Sequence, residues 1–330
     1  MTRRNGTVAL IGIFLLHLAC ASAATTATPI TTPKSRMEMI PSGNPKGSPE
    51  TDYWPPEASD GWSKPVPLEG PINTAGGEDS PFVTPDGNTL YFFFTPDVNI
   101  PVQQQVGDGI TGIWMSRRQA DMWGEPERVL LTNPGKQALD GCIFVRGDRM
   151  YFCSIRAGNT REIEWYYAAW KDGAWRDVAN AGRWMNGLVE MGEMHITAGY
   201  RELYFASKQA GGLGGFDLWV AAATADGWGE PVNLGPSVNT AGDENRPFVT
   251  EDGTELWFDS ASRSGKAGPS IYRCLRQKDS SWAECREMFS VFAGEPNLTG
   301  DSRTLYFIHH FYSADLKTMI EADIYVSYRL

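Results

Sequence analysis

Positive charge is in short supply in this 330-residue chain, where 29 Lys and Arg stand against 40 Asp and Glu for a net charge of −11. A binder of nucleic-acid phosphates needs the opposite sign, and an anionic membrane surface repels such a chain. No apolar run reaches the roughly 20 residues of a membrane-spanning helix. The run from Val8 to Leu18 is interrupted by Gly12 and His17. None of the five cysteines forms a Cys-x-x-Cys pair, which leaves a zinc or thioredoxin-like site without support. No Gly-x-Ser-x-Gly elbow, His-Glu-x-x-His or EF-hand loop occurs. The Gly211–Gly215 run leads into a strand pattern and not a helix, so it is no dinucleotide site.

What is present begins with an export leader. Arg3 and Arg4 precede the apolar run, and Ala21-Ser22-Ala23 supplies small residues for cleavage, which predicts a signal peptide over residues 1–23. A second reading uses Leu18-Ala19-Cys20, which resembles the end of a lipoprotein signal and makes Cys20 a lipid-anchor candidate. Residues 24–57 are rich in Thr, Pro, Ser and Gly without apolar periodicity, the composition of a linker or tether.

Beyond residue 57 one tripeptide recurs: Leu90-Tyr91-Phe92, Met150-Tyr151-Phe152, Leu203-Tyr204-Phe205, Leu256-Trp257-Phe258 and Leu305-Tyr306-Phe307. A turn precedes each, as in Pro85-Asp86-Gly87 and Glu251-Asp252-Gly253, where glycine accepts the positive φ of a hairpin. A polar loop, an aromatic strand and a strand beginning at Trp123, Trp175, Trp228 or Trp282 follow. Units of four short strands, about 50 residues long, are the blades of a β-propeller. The fifth unit ends at Leu330 without its Trp strand, and Gly61-Trp62-Ser63-Lys64-Pro65-Val66 supplies one at the other end. The prediction is an all-β, five-bladed propeller of four-stranded blades, closed by the N-terminal strand pairing into the C-terminal blade. Blades are expected at about 72–130, 131–180, 181–234, 235–290, and 291–330 with 58–68. Closure removes unpaired strand edges, and the ring is expected to be a monomer.

Gly235 to Thr240, Asp243-Glu244, Thr250 to Gly253 and Gly211 to Trp219 resemble PD40 repeats, WD40-like propeller repeats of the kind in the periplasmic protein TolB and in OmpA-associated envelope proteins. The resemblance covers residues 58–330. It implies an exported scaffold, periplasmic, outer-membrane-anchored or extracellular, that binds an envelope protein or a glycan. No peptidoglycan-binding domain follows the propeller, so cell-wall anchoring does not carry over.

Four cysteines fall on two hairpins. Cys142 and Cys153 are equidistant from the Arg146-Gly147-Asp148 turn, and Cys274 and Cys285 from the Asp279-Ser280 turn. Residues opposite each other across a hairpin are within bridging distance, so two disulfides are expected. Such bonds persist in an oxidising compartment.

In a propeller, the loops entering first strands share a face with those joining second to third strands. On that face fall Glu78, Asp140, Glu193, Asp243, Glu244, Arg246, Glu295, His309 and His310, the predicted ligand-binding set. Alignment on the tripeptides puts Ser80, Asp140, Glu193, Arg246 and Glu295 in one column around the funnel mouth. The leading expectation is a binding scaffold acting through this acidic funnel. The alternative is a glycoside-active enzyme using Asp140, Glu193 and Glu295, since glycosidic cleavage needs paired carboxyl groups. A third reading places Ca2+ at the mouth, held by carboxylate oxygens.

Overall fold

The computed structural model describes residues 35–330 apart from 133–135 and 284. The predicted signal peptide, Cys20 and the tether up to residue 34 lie outside the described residues. The fold is a β-propeller. Apart from two short helices, Arg36–Met39 and Arg183–Gly187, and two 3-10 turns, the regular structure is strand. Among the described residues no helix is long and apolar enough to cross a membrane.

Each repeat folds as an antiparallel meander. Its first three strands are Gly77–Val83, Thr89–Thr95 and Gly112–Gln119 in the first unit, and Ala138–Arg146, Arg149–Arg156 and Glu164–Lys171 in the second. They are Met194–Ile196, Glu202–Ser207 and Asp217–Thr224 in the third, and Asn245–Val249, Glu255–Ser260 and Ser270–Leu275 in the fourth. In the fifth they are Ala293–Leu298, Thr304–Tyr312 and Met319–Tyr328. The five first strands touch one another in cyclic order, first to second and on to fifth, then fifth to first. The outer strand is continuous in the second unit, Ala174–Asn180, but in the first and third it is split at Gly124-Glu125-Pro126 and Gly229-Glu230-Pro231. Proline has no N–H for the ladder. Val66 and Pro67 pair with Val326 and Tyr325, outermost on the fifth unit.

Packing explains why the tripeptide and the tryptophan recur. Trp123 meets Tyr306 edge-on, Trp175 meets Tyr91, Trp282 meets Tyr204 and Trp62 meets Trp257. In each pair the outer-strand tryptophan packs on the central ring of the preceding unit's tripeptide. Edge-to-face pairs contribute about 0.5–1.5 kcal/mol beyond burial. Trp62 obeys the same rule as a residue of the fifth unit, although it comes first in the chain.

The chain between 35 and 57 departs from the linker expectation. Composition suggested a solvated tether, but single side chains fasten it to the ring. Arg36 is buried, pairs with Glu78 at 3.1 Å and lies over Phe92, Phe94 and Trp114. Lys46 bridges Glu321 at 3.0 Å and Asp323 at 2.6 Å. Asp52 meets His309 at 2.9 Å, and the Trp54 indole donates to the Ser313 carbonyl. Glu57–Ala58 adds a further strand outside the fourth unit.

One of the two expected disulfides is present. Cys274 is bonded to Cys285 with Cα atoms 4.3 Å apart. Arg273 pairs with Arg286 just beside them, so the cysteines stand in register. Cys142 and Cys153 are free thiols. A β-bulge lies between Gly141 and Phe144, and it sets Gly141, not Cys142, opposite Cys153. The symmetric placement about the turn is therefore lost by one residue. Replacing Cys274 and Cys285 together by Ser is expected to cost about 3 kcal/mol, the chain-entropy value for so short a loop. Urea unfolding of the double variant under non-reducing conditions measures it.

Candidate functional site

The site arises from a defect repeated in the first strands. Bulges interrupt the ladders between Asp79 and Phe82, Gly141 and Phe144, Asn245 and Phe248, and Gly294 and Asn297. Three of them contain proline, at Pro81, Pro247 and Pro296, which cannot donate to a ladder. The first residue inside each bulge takes a positive φ: Ser80 at 50°, Cys142 at 53°, Arg246 at 53° and Glu295 at 57°. Such conformations cost of order 1–3 kcal/mol for residues other than glycine and concentrate at functional sites. Here they carry the side chains into the middle of the ring.

This corrects the predicted column. Phe82 pairs with Tyr91, Phe248 with Trp257 and Asn297 with Tyr306, nine residues apart, whereas Phe144 pairs with Tyr151, seven apart. The second unit's hairpin is two residues shorter, so Cys142 takes the ring position and Asp140 does not. Asp140 sits opposite Ser154, accepts its hydroxyl at 2.7 Å and pairs with Arg156 at 2.6 Å. Glu78 and Glu244 occupy the equivalent place. Each is bound by the backbone and hydroxyl of a threonine four residues earlier, Thr74 or Thr240. Glu78 and Glu244 fasten loops to blades, Asp140 ties two strands of one blade together, and none of the three lines the funnel cavity. His309 is also turned away, toward Asp52.

The remaining five predicted residues, Glu193, Asp243, Arg246, Glu295 and His310, do come together. They line a cavity of about 470 Å3 with Cys142, Cys153, Trp165, Met191, Phe216, Asp259, Ile308 and Tyr312. That volume is in the range of small-ligand pockets. Arg246 is the hub. Its guanidinium lies 2.6 Å from Glu295, 3.2 Å from Asp259 and 3.7 Å from Glu193. Asp259 also accepts the backbone N–H of Glu295 at 2.7 Å. The buried Asp79 carboxyl also feels Arg246 and Glu295.

Four carboxyl groups around one guanidinium cannot all be ionised in a buried place without a large penalty. Burial, resisted by Arg246, holds Glu295 well above the usual carboxylate range and raises Asp79 and Asp259. Burial opposes the charge of Arg246 too, but the carboxylates, Glu295 foremost, hold its proton more firmly still. His310 is pushed down to about 3, first by burial and then by His309 and Arg246, so its imidazole is neutral. Its Nε2 is buried without a hydrogen-bond partner. Among the described residues no group of three or more His, Cys, Asp or Glu side chains is arranged to hold a metal ion.

Sequence reasoning missed Asp259. The residues after the five tripeptides are Phe93, Cys153, Ala206, Asp259 and Ile308. One acid among four apolar residues at a buried position was the available signal. The apolar wall was also missed, because Trp165 and Phe216 fit blade packing equally well.

The chain is similar in fold to other propellers. It matches the endo-arabinase of Bacteroides thetaiotaomicron VPI-5482 at 14% identity over 78% of this chain and 96% of that one, with a TM-score of 0.48. The α-L-arabinofuranosidase of Lactobacillus brevis matches at 12% identity over 76% and 90%, with a TM-score of 0.48. TolB from Acinetobacter baumannii matches at 11% identity over 78% of this chain and 56% of that one, with a TM-score of 0.40. These likenesses concern the fold alone. No family model and no curated protein matches the chain.

Proposed function

We propose that the protein is an exported propeller that binds a neutral glycan unit in the funnel cavity and does not cleave it. The observation that carries this reading is the hub at Arg246, on which Glu193, Asp259 and Glu295 converge. Hydrolysis needs one carboxyl free to donate a proton and another free to attack or to activate water. Here Arg246 engages Glu193, Asp259 and Glu295, and Arg156 engages Asp140. What remains for a ligand is a wall of rings, Trp165, Phe216 and Tyr312, beside hydrogen-bonding groups on Glu193, Arg246 and His310. A sugar offers a C–H face to the rings and hydroxyls to the polar side. A concave cavity of this size suits a glycan unit better than a flat protein surface.

The test is calorimetric titration with a panel of neutral mono- and disaccharides. Binding is expected, and Glu193→Gln is expected to weaken it by about tenfold, the value of one charge-assisted hydrogen bond. No binding across the panel would defeat the proposal. Release of new reducing ends, abolished by Glu295→Gln, would replace it with the hydrolase reading.

A further inference from the structure

The chain treats its two hairpin cysteine pairs differently. Cys274 and Cys285 are in register and bonded. Cys142 and Cys153 are a diagonal pair across a bulge, Cys142 directly following the Gly141 that stands opposite Cys153. Both line the funnel cavity, and Cys142 occupies the ring position that Glu193, Arg246 and Glu295 hold in other units. The Cys153 sulfur lies against Gly141, where an added Cβ would be 3.8 Å from it. The two thiols are neighbours across the hairpin, yet a disulfide tolerates only a narrow range of Cβ separations and torsions. The bulge must yield to meet them.

We propose that Cys142 and Cys153 form a reversible dithiol–disulfide site in the cavity wall, whose closure draws on the bulge and so reshapes the funnel. A bond that must be made against the local backbone is more easily reduced than an unstrained structural one. It would therefore exchange where Cys274–Cys285 does not. The oxidant is a small disulfide of the glutathione class. One cysteine loses its proton to solvent and attacks a sulfur of that disulfide. The small disulfide breaks, a mixed disulfide forms and one small thiolate leaves. The second cysteine then loses its proton and attacks the protein-side sulfur, closing the bridge and expelling the second small thiolate. The protein gives up two protons and two electrons, and the two small thiols carry them away. Closure also removes two S–H donors from the wall. The neighbouring Cys153, burial and the charges of Glu193 and Glu295 all hold the proton on Cys142, which favours persistence of the dithiol at neutral pH.

The experiment equilibrates the full chain in buffers of graded reduced-to-oxidised glutathione ratio, then labels free thiols after acid quench and maps them by peptide mass. Cys142 and Cys153 are expected to convert together from two labelled thiols to one bridge, and back. Cys274–Cys285 is expected to stay bonded at ratios at least tenfold more reducing. Hydrogen exchange in the peptide covering 138–146 is expected to differ between the two states, and exchange over 270–290 is expected not to. Thiols that stay free at every ratio, a persistent mixed disulfide, or a bridge as resistant as Cys274–Cys285 would overturn the redox site. Unchanged exchange over 138–146 would overturn its coupling to the bulge. None of these readouts needs a sugar, so they stand apart from the glycan proposal.

Discussion

Arg246→Met is expected to lower stability by about 3–5 kcal/mol at neutral pH, the usual loss when one member of a buried charge network is removed. Methionine fills much of the same volume, so the loss is electrostatic. Asp79, Glu193, Asp259 and Glu295 would face one another without a cation. The pH dependence gives the signature. Asp79, Asp259 and Glu295 have raised pKa values in the folded protein. The folded state therefore holds more protons than the unfolded state above the ordinary carboxylate range, and stability falls as pH rises through that window. Without Arg246 these pKa values rise further and the window widens. The deficit should be greatest at neutral pH and should shrink as pH falls to about 4, where unfolded carboxyls also take up protons. Urea unfolding of both proteins at the two pH values measures it. An equal deficit at both would show that Arg246 acts by packing.

A chain beginning at Ser59 is expected to lose more. Truncation removes the Arg36–Glu78 pair, the Lys46 bridges to Glu321 and Asp323, and the Asp52–His309 contact. Glu78 would lose its only cationic partner among the described residues. Its pKa already stands at about 7 through burial, even with Arg36 pulling it back. Arg36→Met alone should cost about 3–5 kcal/mol, and the truncated chain more, with the pH 7 melting temperature falling accordingly. A tether would leave the two chains melting together.

These results would mark where sequence stops informing. The blades were legible because one contact between an outer-strand Trp and a tripeptide ring is repeated four times around the ring, so the same residue types recur in unit after unit. The fastening of residues 35–57 was not, because Arg36, Lys46 and Asp52 are isolated side chains whose acidic or histidine partners lie 42 to 277 residues away. A Thr- and Pro-rich composition hides such anchors. The funnel was half legible. Glu193, Arg246 and Glu295 follow from the repeat, but Asp140 was placed by counting from the tripeptide, and the count assumed a hairpin of constant length. Pro81, Pro247 and Pro296 announced bulges that the alternating pattern alone does not contain. The second unit has Ile143 there, so its bulge had no such marker.

The short hairpin of the second unit also says what kinds of length change this ring can absorb. Side chains on a strand alternate between faces with a period of two. A turn shortened by two residues slides the first strand along its neighbour but keeps every inward residue inward, which is why Phe144 still stands with Phe82 and His195 beside it. A loss of one residue would have turned the strand inside out and put its polar face against those rings. Length variation in these turns is therefore quantised by parity. An even change substitutes one funnel residue for another, as Cys142 has replaced Asp140, and gives the ring a way to alter its binding wall without touching its core.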